Sequence, residues 1–97
     1  MTKQFFVYLL ASKKDGVLYV GITSQLNNRI WQHRNDVLPG FTSRYHVHRL
    51  VYMEAFASAD DAIAREKQLK HWRRAWKITL IEAGNPQWRD LYDEITV

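Results

Sequence analysis

The chain has 97 residues, 46% of them hydrophobic and 25% charged, with no cysteine and a net charge of +4. Those values fit one globular domain spanning 1–97 and exclude a disulfide scaffold, a cysteine-ligated zinc and a cysteine nucleophile; no apolar run nears the roughly 20 residues of a membrane span. Charge is blocked: residues 1–50 and 62–81 are basic, whereas 51–61 and 82–97 are acidic, so an anionic partner competes with ordinary solvated helix faces.

Phe5 to Leu10 is apolar on both alternate rows and rich in β-formers, the pattern of a strand central in its sheet. It is also too short for a signal-peptide core, so a cytoplasmic location is expected. Ser12 to Gly16 is a turn cluster, and Val17 to Ile22 reads as the second strand of a hairpin. A tight turn at Asp15-Gly16 would oppose Lys14 and Val17; a wider loop would oppose Leu10 and Val17 and make Tyr8 and Tyr19 direct neighbours. Both registers have the same parity, so either puts the two tyrosines on one face.

Thr23 and Ser24 offer a helix N-cap, and Leu26, Ile30, His33 and Val37 follow as a helical stripe. Arg29 and His33, four apart, share a face of that helix. Pro39-Gly40 ends it. Phe41 to His48 is polar and irregular, and Leu50 to Phe56 reads as a third strand. His46-x-His48 is a loop fragment without clustered acids, and His71 sits in a basic run, so neither reads as a metal site.

Ser58 to Asp61 has capping-box spacing and opens a helix with apolar positions Ala62, Ile63, Leu69, Trp72, Trp76 and Leu80. The pattern is long for so small a domain, and a break is expected near Arg73-Arg74. Lys67, Lys70, Arg74 and Lys77 form a basic row on the opposite side, expected to contact nucleic-acid phosphates. Glu66 falls on the apolar stripe, where a carboxylate must be paired, reach solvent or bind something. Its plain alternative is an ion pair with Arg65, Lys67 or Lys70. Gly84 reads as the helix stop. Gln87 to Ile95 reads as a short helix or capping tail anchored by Trp88 and Leu91.

Together these residues resemble the GIY-YIG nuclease family, especially its small single-domain bacterial members. The resemblance runs from Phe5 to about Leu91 through Val7-Tyr8-Leu9, Tyr19-Val20-Gly21, Arg29, His33, Glu66 and Asn85. Phe6 stands where the family has a glycine, and Ile22 where some members carry lysine. The resemblance implies an α/β fold with a β-β-α-β-α core, in which a small three-stranded antiparallel sheet is flanked by helices. It implies a metal-dependent endonuclease cutting a DNA phosphodiester, with Mg²⁺ or Mn²⁺ at a single site on Glu66. Tyr8, Tyr19, Arg29, His33 and Asn85 would form the catalytic set, with Tyr19 as base for the attacking water and Tyr8 assisting. Mg²⁺ is commonly held by one or two carboxylates plus water and phosphate, so a lone Glu66 is chemically sufficient.

The competing readings are a non-catalytic nucleic-acid-binding module of the same fold and an interaction protein dimerising through Trp72, Trp76 or Trp88. A monomer or weak dimer is expected. No membrane partner is expected, and substrate choice would rest on DNA structure or on a protein partner.

Overall fold

The structure is a computed structural model that describes residues 3–95. Its elements in chain order are β1 (Phe5–Ala11), β2 (Leu18–Thr23), α1 (Leu26–Arg34), α2 (Phe41–Arg44), β3 (Arg49–Phe56), α3 (Ala59–His71), α4 (Arg74–Gly84) and α5 (Tyr92–Ile95). The three strands form one antiparallel sheet in the order β2-β1-β3. The two-sided apolar strand is thus central, and its alternate rows feed two cores. Val7, Leu9 and Ala11 pack with Val20, Ala62, Leu69, Ile81 and Trp88. Tyr8 and Leu10 pack on the other face with Leu26, Ile30, Val47, Leu50 and Leu91. No helix of the described residues is long and apolar enough to cross a membrane.

In the hairpin Tyr8 pairs with Gly21 and Leu10 with Tyr19. This register is offset by two residues from each of the two expected ones. Parity is therefore kept and the tyrosines share a face, but as diagonal rather than directly opposed neighbours. The turn closes through Gly16 N–H to Lys13 O and Ser12 N–H to Val17 O.

Three local expectations are corrected. Helix α1 begins at Leu26 with Gln25 as its N-cap and no side-chain cap; Thr23 Oγ1 instead accepts from Gln25 N–H at 3.0 Å. The same helix ends at Arg34, and Asp36 takes a left-handed φ of 52° that turns the chain away, leaving Val37 exposed. The polar stretch after Gly40 is not wholly irregular, because Phe41–Arg44 forms one helical turn.

The long helical pattern does break, at Trp72 and Arg73, both of which have extended backbone. Ser58 Oγ caps α3 by accepting from Asp61 N–H. The break changes which residues meet the core: Ala62, Leu69 and Ile81 are buried, while Ile63 and Trp76 are exposed. Trp88 is fully buried and donates from Nε1 to Glu82 at 2.7 Å.

β3 carries a bulge against β1, between the pairs Leu9–Tyr52 and Leu10–Leu50, which leaves Val51 as the extra residue. The C-terminal tail closes over this edge. Leu91 N–H donates to Leu50 O, Leu50 N–H to Asp90, and Arg49 to Trp88 O.

Candidate active site

The site grows from the diagonal tyrosine pair. Tyr8 is fully buried on the central strand, and its hydroxyl lies 2.9 Å from His33 Nε2. The other imidazole nitrogen, Nδ1, lies 3.0 Å from Thr42 Oγ1. Helix α1 supplies His33, and the single turn α2 supplies Thr42, so three elements lock one chain of polar atoms: Tyr8, His33, Thr42. Tyr19 flanks it from β2, its ring centroid 6.4 Å from that of Tyr8 and 5.5 Å from that of His33. Tyr19 is half-buried and stacks on the exposed Phe41 at 6.2 Å.

Electrostatics place two further residues here. Burial pushes the Tyr8 phenol well above its ordinary value; the neighbouring Tyr19 and Glu66 push the same way, and the Arg29 guanidinium partly opposes them. Arg29 and Glu66 are therefore both close enough to Tyr8 to act on its charge. His33 is pushed down to about 4 by burial first, with Arg29 and His48 adding to it. At neutral pH its ring is uncharged, so it offers one N–H donor and one acceptor, matching its two hydroxyl neighbours. Beside Arg29 opens a polar hollow of about 300 Å³, lined by Thr23, Ser24, Gln25, Asn28, Arg29 and Gln32.

Glu66 projects from α3 with its side chain only 14% exposed. Its Oε2 lies 2.9 Å from Lys70 Nζ, one turn on, so the plain ion-pair alternative is realised. Lys70 is 52% exposed and free to swing into water, so the pair is of the weak kind. A carboxylate largely screened from solvent and close enough to act on the Tyr8 phenol fits one Mg²⁺ or Mn²⁺ whose other ligands are water and phosphate.

Five of the expected site residues thus converge: Tyr8, Tyr19, Arg29, His33 and Glu66. Asn85 does not join them. It is buried at the C-terminal end of α4, where Nδ2 donates to Val51 O at 3.2 Å and to Arg89 O at 2.9 Å, and Oδ1 accepts from Arg89 N–H. Its amide satisfies the carbonyl of the bulge residue and closes the tail turn. In this fold it is a structural clamp, because a bulge leaves backbone groups without ladder partners.

The basic row is also rearranged. Its spacing assumes one continuous helix, whereas Lys67 and Lys70 lie on α3 and Arg74 and Lys77 on α4. Arg74 donates to Asp15 O at 2.8 Å and Gly16 O at 2.6 Å, pinning the hairpin turn. Lys70 serves Glu66. Partial burial and the neighbouring Arg74 lower the Lys77 ammonium from its ordinary value. Lys67 remains an exposed cation.

Thr42 and Phe41 carried no sequence signal, since a hydroxyl and an aromatic in a polar stretch fit any loop. His46-x-His48 has no clustered acid in sequence, since Asp36 stands ten residues before His46; the fold brings the three together.

With this geometry in place, the comparisons are decisive about kinship. The model of the GIY-YIG catalytic domain matches residues 4–79. The chain belongs to the GIY-YIG family. A UPF0213 protein of Staphylococcus epidermidis is 32% identical over 79 residues, covering 81% of this chain and 95% of that protein. A UPF0213 protein of Lacticaseibacillus paracasei is 32% identical over 88 residues, covering 91% and 98%. The solution NMR structure of the UPF0213 protein BH0048 from Bacillus halodurans aligns with a TM-score of 0.57 at 29% identity, over 97% of this chain and 99% of that one. The GIY-YIG core and its helical flanks are thus shared across nearly the whole length. The Tyr8 and Tyr19 strands, α1 with Arg29 and His33, and Glu66 on α3 all lie inside the matched catalytic domain, and Asn85 lies outside it.

Proposed function

We propose that the chain is a divalent-metal-dependent endonuclease that hydrolyses a phosphodiester bond in DNA, acting as one nuclease domain. The convergence of two phenols, a neutral imidazole, a guanidinium and a carboxylate from β1, β2, α1 and α3 carries this reading. A core built only for stability has no use for that set, because each polar group must be matched on desolvation.

Hydrolysis requires water to attack phosphorus, a proton to leave that water, and the departing oxygen to be stabilised. Tyr19 reaches solvent and is the phenol able to meet an attacking water: having released its own proton to solvent, it accepts the proton that the water gives up. Tyr8 is buried and strongly disfavours the phenolate, so it holds its proton and orients its neighbour through the bond to His33. Thr42 holds the imidazole ring in place from the far side, its hydroxyl able to pair with Nδ1 in either tautomer. Arg29 presents a planar fork to the non-bridging phosphoryl oxygens and offsets charge gathering there. Glu66 would hold the Mg²⁺ or Mn²⁺, which supplies charge stabilisation at the leaving oxygen.

Incubating supercoiled plasmid with the protein and Mg²⁺ or Mn²⁺ tests this. Nicking that a chelator abolishes is the expected result. A salt-dependent gel shift with no nicking would instead identify a binding module of the same fold.

A further inference from the structure

A second metal-ligating cluster lies outside the proposed nuclease centre. Asp36 follows α1, while His46 and His48 precede β3. The segment between them folds back through Gly40 and α2, and one ligand atom from each of the three residues falls within 4.8 Å of the others. His48 Nε2 is already 2.7 Å from Asp36 Oδ1. The His46 and His48 rings stand nearly perpendicular with centroids 6.0 Å apart. Asp36 and His46 both occupy left-handed backbone, at φ of 52° and 54°, a region in which Asp and His are among the commoner non-glycine residues. The two turns bring side chains from opposite ends of one loop to a common point.

The donor set selects the class of ion. Two imidazoles and one carboxylate suit zinc and its transition-metal neighbours, whereas Mg²⁺ demands oxygen ligands and gives up water reluctantly. Ligand atoms around a tetrahedral zinc stand roughly 3.3 Å apart, given bonds of about 2 Å. The present separations bracket that value: His48 Nε2 and Asp36 Oδ1 stand 2.7 Å apart and all three ligand atoms lie within 4.8 Å, on side chains that are exposed at Asp36 and His46 and half-buried at His48. Three protein ligands leave a fourth position for water, as in open zinc sites.

We propose that Asp36, His46 and His48 bind one zinc-class transition-metal dication, at a site distinct from the Mg²⁺ or Mn²⁺ position assigned to Glu66. The ion ties the end of α1 to the start of β3 and clamps the intervening segment. That segment carries Thr42, the hydroxyl on His33, and Phe41, the ring under Tyr19. The bound ion is thus a staple for the wall of the nuclease centre, and the proposal stands whether or not the chain cuts DNA.

Calorimetric titration of the metal-free full chain with Zn²⁺ tests it, alongside thermal melting and the visible absorption of a Co²⁺-loaded sample. One equivalent of Zn²⁺ at micromolar affinity, a melting temperature several degrees higher, and intense tetrahedral Co²⁺ bands are expected, with no effect of equimolar Mg²⁺. His46→Asn removes the imidazole yet suits left-handed backbone, so it should melt like the parent without metal and lose the zinc response. His48→Gln should lose it too, and Glu66→Ala should retain it. No binding at micromolar Zn²⁺ would overturn the proposal. So would binding that persists in both histidine variants, which marks adventitious surface coordination, or binding lost in Glu66→Ala, which places the ion in the nuclease centre.

Discussion

Tyr8 lies directly across the hairpin from Gly21, and its ring fills the space that a side chain at position 21 would occupy. A Cβ built on Gly21 would stand 2.3 Å from both Cζ and the hydroxyl oxygen of Tyr8. The glycine is therefore a steric condition for the Tyr8–His33 bond. Gly21→Ala should push the ring aside, break that 2.9 Å contact and destabilise the fold by about 1–3 kcal/mol, the usual scale for overpacking. Urea unfolding measures the stability loss. Tyr8→Phe on the Gly21→Ala background should give no rescue, since ring carbons meet the added methyl as well. Tyr8→Leu on that background should recover most of the stability.

Tyr19 separates a packing role from a chemical one. Tyr19→Phe keeps the ring that stacks on Phe41 and touches His33, and removes only the hydroxyl. Melting should be nearly unchanged. Plasmid nicking should fall by roughly 10²-fold or more, the scale of a lost general base. Nicking at the parental rate would remove Tyr19 from the mechanism.

His33 makes stability depend on pH in a defined window. Its folded value of about 4 lies below the ordinary 6.5, so between those limits the unfolded chain binds the extra proton. Stability from this group is fully present above pH 6.5 and is lost as pH falls towards 4. The steepest slope is about 1.4 kcal/mol per pH unit for one proton. Chemical denaturation from pH 7 to 4 should show that slope, and the His33 ring resonances should keep their neutral shifts at pH 5. Titration of His33 with a midpoint near 6.5 would contradict the buried Tyr8–His33–Thr42 chain.

Much of this arrangement was legible because it rests on periodicity. The two-sided apolar run of β1 marks the central strand, and parity alone puts Tyr8 and Tyr19 on one face even though the turn adopts neither expected register. Features that depend on where a helix stops were not legible. Val37 fits the α1 stripe, but left-handed Asp36 ends the helix pattern first. Trp76 fits the α3 stripe, but two extended residues rotate α4 and expose it. Asn85 carries a family likeness at a position whose amide is consumed by a bulge that no local pattern announces.

The broken helix also changes what the basic residues should do. Arg74 holds two carbonyls of the hairpin turn, so Arg74→Ala should lower stability by about 1–2 kcal/mol, as loss of charge-assisted hydrogen bonds does. It should leave the salt dependence of DNA binding nearly unaltered. Lys67 is exposed on α3, and Lys67→Ala should instead leave melting unaltered and reduce the salt slope by about one unit. Gel-shift affinities over a salt series, set beside melting curves of both variants, distinguish these roles. An unchanged slope in Lys67→Ala would make Lys67 a solvated cation only.

Glu66 decides between an ion pair and a metal ligand, and its partner Lys70 provides the control. If the carboxylate exists to hold Lys70, Glu66→Ala and Lys70→Ala should cost similar stability, each within about 1 kcal/mol as for other half-exposed pairs, and both should leave specific nicking intact. If the carboxylate holds Mg²⁺ or Mn²⁺, the two variants part. Glu66→Ala should abolish metal-dependent nicking, while Lys70→Ala should retain it, because that lysine only occupies the carboxylate between ions. DNA affinity should hold or rise in Glu66→Ala, since a negative charge facing phosphates is gone. Retained nicking by Glu66→Ala would end the metal assignment, whereas lost nicking with intact melting and intact DNA binding, beside a Lys70→Ala that still cuts, would support the carboxylate as the metal ligand.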